Sequence, residues 1–564
     1  MVTGRDDVKG REMRGWLLTL LMATVPGMAD QVETPATVAT GADGGHAICG
    51  GDTVAARTPV ILTGYGEGGF PITTTKPAAQ AFFDNGMQLA HAFAHKAAIA
   101  AFKQAVAIDP TCAMCVWGEA WASGPTINYG VDAKEIAPLI AMTARAAMLA
   151  ERSGTPRERA LIAALALRHR DGGGNKPGDT AFMKAMDTLV GQYPADNEIA
   201  TIAADAALIA PWKPNDPSLG WHSVALLERV LARDPDYSPA IHFYIHATEI
   251  VKVPGRAEPY ADRLTALAPS ASHLVHMPSH TWYWLGRYKD AADANMRAVR
   301  LGIANAKRLG MPEPDGVWHL PYHAHNVVYG LGGALMSGDA TTALALGRPL
   351  VARAAMETKA PAFMQMLAAS GYFAIARFAE PAEMLALPEP KTPFLAGYWH
   401  YARGEAAARM GDVAAVRREA AAIPSRVAGA DEDAALAVRM LRIARSVLDG
   451  RAAMLDNRPR DAARAFRRAA AWQEERDFAD IADPPVWWYP VRRSVAEAVL
   501  AEGDAAGALR EVNASLALRP NDPVALAVKA RAEAALGQAV AARASRAAAM
   551  AGWHGDRRLL GAAG

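Results

Sequence analysis

The sequence predicts an all-α fold, an α-solenoid of helix–turn–helix repeats about 34 residues long. Three observations carry this. The chain of 564 residues is 51% hydrophobic but only 7% aromatic, with long Ala runs; Ala is the best helix former and lets helices pack closely. Features also recur at a fixed offset. His242 and His246 return 34 residues later as His276 and His280, and Pro235 returns as Pro269. A feature repeated at that period stands on the same face of successive repeat units. Finally, no segment of any length alternates apolar and polar residues with the period of a strand.

Taken in order, residues 1–29 read as a signal peptide. Arg11 and Arg14 precede an apolar run from Trp16 to Val25, and small residues prepare a cut after Ala29. No later run is long and apolar enough to span a bilayer. The mature protein is therefore expected to be exported, secreted or periplasmic, with no membrane span. Residues 30–71 are rich in Gly, Thr and Ala and predict a flexible leader. An N-terminal array of repeats is expected over 72–310. Phe82, Gly86, Ala98, Phe102, Ala105 and Pro110 meet the six positions of the tetratricopeptide repeat (TPR) pattern. Residues 311–379 hold an inserted loop and further repeats. The Pro-rich stretch 380–394 predicts a linker. A C-terminal array follows over 395–564, where Gly503 and Ala508 return 34 residues on as Gly537 and Ala542.

Four segments resemble a large bacterial group of TPR proteins of no settled activity. They are Asp109 to Ala120 (DPTCAMCVWGEA), IHFYIHATE at 241–249, SHLVHMPSHTWYWLGRY at 272–288 and PPVWWYPVR at 484–492. The resemblance runs from about residue 70 to the C-terminus and implies an all-helical TPR array. It implies no activity. Such proteins tend to show a second His soon after the "HN" pair, whereas here His325-Asn326 is followed by Val327 and Val328.

In a TPR unit the first helix lines the concave face. Numbered that way, His242, His246, His273, His276 and His280 fall on concave positions, with Glu249 one turn past His246. His325 and His323 begin a later unit, and His91 and His95 lie in the first. The spacing is not random: 15 His in 564 residues would give about 0.4 pairs at i, i+4, and four are present. Two His one helical turn apart can converge on one ion. The expected function is thus a His-rich concave site for a transition metal, with Cu, Zn or Fe all suited to imidazole. Glu249 is the candidate general base of a metalloenzyme whose reaction the sequence does not specify. The alternatives are a metal-free groove that holds a peptide, a partner protein or an organic acid, and histidines that only satisfy the core. Pro278 threatens the pairing of His276 with His280, because proline removes a backbone donor.

The net charge of +1, from 59 basic and 58 acidic residues, excludes the basic field of a nucleic-acid binder. Three cysteines are too few for a disulfide scaffold. Cys112 and Cys115 are expected to form one disulfide, or else a soft-metal site or a packing pair. There is no phosphate loop, no nucleophile elbow and no HExxH.

Overall fold

The computed structural model describes residues 59–128, 130–170, 176–212, 216–356, 362–427, 432–479 and 485–562. The expected signal peptide and the first part of the expected leader lie outside these. No β-strand occurs among the described residues, and the chain is a succession of helices. It forms two compact units that divide between Tyr260 and Ala261.

In the first unit each helix packs on the next, and alternate helices also touch. Pro77–His91 meets His95–Ile108 and Ala113–Ala122; Ala113–Ala122 meets Pro156–His169. This two-layer stacking is that of a TPR-like solenoid. Small residues make it possible. Ala79, Ala98 and Ala105 are fully buried, and a Cβ on Gly86 would stand 2.6 Å from the Phe102 ring. Gly450 stands against Phe466 at the same offset of sixteen residues, so the second unit uses the same joint. The last helix of the first unit, Ser238–Ile250, touches the first, Pro77–His91. No described helix is long and apolar enough to cross a membrane.

The second unit also closes on itself. The Tyr288 hydroxyl donates to the Pro520 carbonyl at 2.8 Å, and the His554 amide donates to the Ser337 carbonyl at 2.8 Å. Its turns carry the period. Gly503 and Gly537 both adopt left-handed backbone, φ 91° and 75°, which side chains with a Cβ resist. The PPVWWYP motif places Trp487, Trp488 and Tyr489 in the interior, where Trp487 packs edge-on against Phe373 and Tyr401.

Two stretches of the chain show how the helices continue. In the stretch 380–394 two of the prolines start helices rather than break them, while Pro388 and Pro390 lie between those helices. Pro381 and Pro393 stand at the first positions of Pro381–Ala386 and Pro393–Arg409, where the missing N–H costs nothing. The second of these packs directly on Ala362–Phe378. The division between the two compact units falls within 72–310. The end of the expected leader is also ordered. The Asn85 side chain pairs with the Leu62 amide and carbonyl at 3.0 and 2.7 Å, and the Phe70 ring sits between Phe83 and the Arg157 guanidinium. Cys112 and Cys115 are joined as a buried disulfide at the start of Ala113–Ala122.

Phe102 is held by the backbones of Gly86 and Gly118, which cannot collapse into its space. Phe102→Ala is therefore expected to cost about 3–5 kcal/mol. Denaturant unfolding checks this, and a loss under about 1 kcal/mol would contradict the joint.

Candidate metal centre

The centre is built on three short stretches packed around one long helix. Ser272–His276 and Pro278–Trp284 carry His276 and His280, and His323–Ser337 carries His325. All three pack on Tyr288–Arg308. Pro278 does not spoil the pairing. Met277 keeps helical angles, φ −50° and ψ −41°, and Pro278 opens the second helix. The backbone passes through, with the Met277 amide donating to His273 and the His280 amide donating to Met277. The His276 and His280 rings lie 4.8 Å apart.

The Nε2 atoms of His276, His280 and His325 converge. Nε2 of His276 lies 2.9 Å from Nε2 of His280 and 2.9 Å from Nε2 of His325. The donors of all three lie within 4.8 Å of one another. All three side chains are buried, two of them completely.

The neighbours decide the protonation. Nδ2 of Asn295 donates to the Ala291 carbonyl at 2.8 Å, so its Oδ1 faces Nδ1 of His276, 2.7 Å away. An amide oxygen only accepts. Nδ1 of His276 therefore carries the proton, and its Nε2 presents a lone pair. That single lone pair faces two nitrogens, and it can accept only one N–H. A cation between the three rings satisfies all of them together. Ligands of a tetrahedral ion stand about 3.3 Å apart when the bonds are about 2.0 Å, within the span seen here. Tyr329 completes the surroundings, its hydroxyl 3.1 Å from Nδ1 of His280. A metal on Nε2 would leave Nδ1–H of His280 donating to that hydroxyl. Burial, and then the charge of His280, hold His325 well below the usual imidazole range, so it is neutral as a ligand must be.

The other expected site residues have different surroundings. Nε2 of His91 is 2.5 Å from Glu198, and the Tyr237 hydroxyl donates to the same carboxylate. Burial works to raise the Glu198 carboxyl, but the charge and hydrogen bond of His91 outweigh it and leave it lowered. His91 is thus held in a buried ion pair. Its carbonyl accepts from Nδ1 of His242 at 2.7 Å, and the His242 and His246 rings lie 5.1 Å apart between centroids. His95 is half-buried beside Phe93. His273 is buried against Tyr322 one turn before His276. His323 packs edge-on against Trp318, and burial, then Arg353, push it down to about 4. Glu249 is half-buried at the end of Ser238–Ile250. Among the described residues, no carboxylate joins the converging imidazoles.

Sequence reasoning missed Asn295 and Tyr329. Tyr329 was within reach, since it stands four residues after His325, the spacing that found the His pairs. Asn295 lies on the second helix of its unit, where no pattern distinguishes it.

No family model matches the chain, and no curated protein matches it. Solved structures with similar helical arrangement include the human IFIT1 dimer with PPP-AAAA, at 11% identity over 81% of this chain and 86% of that one, TM-score 0.28. The Naa15/Naa10 complex bound to HypK-THB matches at 12% identity over 86% and 90%, TM-score 0.24. The APC/C Cut9-Hcn1 hetero-tetramer matches at 12% identity over 83% and 96%, TM-score 0.24. Scores this low carry no argument about what the chain does.

The His91–Glu198 pair generates a stability prediction. A carboxyl lowered in the fold stabilises it above the ordinary value of 4.5 and loses that contribution as pH falls through the lowered value. Glu198→Gln should cost about 3–5 kcal/mol at pH 7. The gap to the wild-type protein should narrow as the pH is lowered past 4.5. Thermal unfolding at several pH values measures both.

Proposed function

We propose that this chain is an exported TPR-type protein of the bacterial group whose motifs it shares, and that it holds one transition-metal ion on His276, His280 and His325. The single observation behind this is the lone pair of His276 Nε2, pinned by Asn295 and facing two further Nε2 atoms at 2.9 Å. A ligand set of three imidazoles suits Zn, Cu or Fe. Three protein ligands leave a fourth position for water or a substrate, as in catalytic zinc sites. Beside Tyr329 lies a cavity of about 20 Å³, walled also by Tyr283 and Trp488, room for about one water molecule. A free fourth position is what separates a catalytic ion from a purely structural one. Glu249 plays no part in this reading, because the converging donors include no carboxylate.

Elemental analysis of protein purified without chelators should find about one equivalent of a transition metal, since a folded set of three imidazoles binds metal tightly. His280→Ala and His325→Ala should each lower that about tenfold or more, and Asn295→Ala by about 10–100-fold in affinity, with far-UV helicity kept. Metal content under about 0.2 equivalents, with no gain on adding Zn, Cu or Fe, would sink the proposal. Export is tested separately. Protein from the extracytoplasmic fraction should begin at Asp30, and an N-terminus at Met1 or Met13 would refute cleavage after Ala29.

A further inference from the structure

Away from the histidines, the second unit holds a half-buried arginine, two of whose donors its surroundings do not satisfy. Arg377 stands in the last turn of Ala362–Phe378. Its guanidinium is flanked by the rings of Trp488 at 4.8 Å, Trp553 at 5.4 Å and Phe378 at 5.4 Å. Nε and Nη2 are both buried, and neither has a hydrogen-bond partner among the described residues. These two N–H groups share one edge of the guanidinium, the edge that grips a carboxylate through two parallel bonds.

The neighbouring charges do not balance. Arg493, 1% exposed, places its Nη1 on both oxygens of Asp522 at 3.1 and 3.0 Å. Asp522 is fully buried and also accepts from the amides of Val524 and Ala525 at the start of Pro523–Ala535. That carboxylate is fully engaged, and the nearby Arg451 has its own carboxylate in Glu405, so Arg377 and Arg493 share one anion. The Nε of Arg493 and the Tyr489 hydroxyl are likewise buried without partners. Arg377 is not needed to neutralise the end of its own helix either. Nη1 of Arg409 does that, on the carbonyls of Ala376 and Ala379 at 3.1 and 2.6 Å. Burial, then the charge of Arg493, pull Arg377 down to about 9, which leaves it a cation at neutral pH.

Stacking on three rings does not by itself explain this arrangement. Aromatic faces stabilise a cation from above and below, but they accept nothing from N–H groups in the guanidinium plane. Charged donors left unsatisfied are among the most costly groups a fold can bury. We propose that the Nε–Nη2 edge of Arg377 is a binding site for a small monocarboxylate. The excess is one positive charge, which a monoanion neutralises. The flanking rings suit a flat group in the guanidinium plane better than a tetrahedral dianion. The site stands independently of the metal reading, and its failure would leave that reading untouched.

The test uses the full chain and thermal unfolding in sodium chloride, sodium acetate or sodium phosphate at matched ionic strength. Acetate should raise the melting temperature of the wild-type protein with a saturating dependence, because a ligand of the folded state stabilises it by mass action. Arg377→Met should abolish the acetate response, and in chloride it should melt no lower than the wild-type protein, since an apolar group replaces an uncompensated buried charge. Arg377→Lys keeps the charge without the fork, and should weaken acetate at least about tenfold. It serves also if Arg377→Met does not fold. An acetate response that is absent, or equal in wild-type protein and variants, overturns the site. A response to phosphate that depends on Arg377 and exceeds that to acetate overturns the carboxylate assignment.

Discussion

Close approach of helices through small residues is the constraint on which the rest depends. Where Gly86 and Gly118 receive Phe102, and Gly450 receives Phe466, the backbones come near enough to lock one helix pair to the next. Fully buried alanines do the same along both units. An interior packed at this density leaves side chains few rotamers. That rigidity is what a metal site requires, because its donors must be held in place before the ion arrives.

The histidines show how neighbours, and not residue type, assign chemistry. His91 and His276 are both buried imidazoles. His91 meets a carboxylate, so it is an ion-pair partner in the core. His276 meets an amide oxygen on one side and two nitrogens on the other, so its one lone pair is shared between two neighbours. A buried polar group without a partner is costly. The fold tolerates the first arrangement by pairing opposite charges. The second is a set of imidazoles that could hold a cation.

The second unit uses its interior differently again. The loop with Trp487, Trp488 and Tyr489 fills the space enclosed when the C-terminal helices pack back on the Tyr288 and Gly338 turns. Large rings suit that space because they bury much area at little cost in side-chain freedom. They also give guanidinium groups faces to lie on, which is how Arg493 comes to be buried and Arg377 half-buried.

Much of the fold was legible in the sequence, because a solenoid is made of local units. The 34-residue offset, the Gly at each turn and the small–large–small pattern act between residues near in sequence, so periodicity reports them directly. The i, i+4 spacing likewise revealed His276 with His280, and Pro278 left the backbone helical because proline is tolerated where a helix begins. Only the tertiary structure decided the rest. It chose His325 as the third donor, set His91 against Glu198, and brought Asn295 to His276 and Tyr329 to His280. These outcomes depend on which helix lies beside which and at what depth, and one chain read in order does not encode that distance in any period.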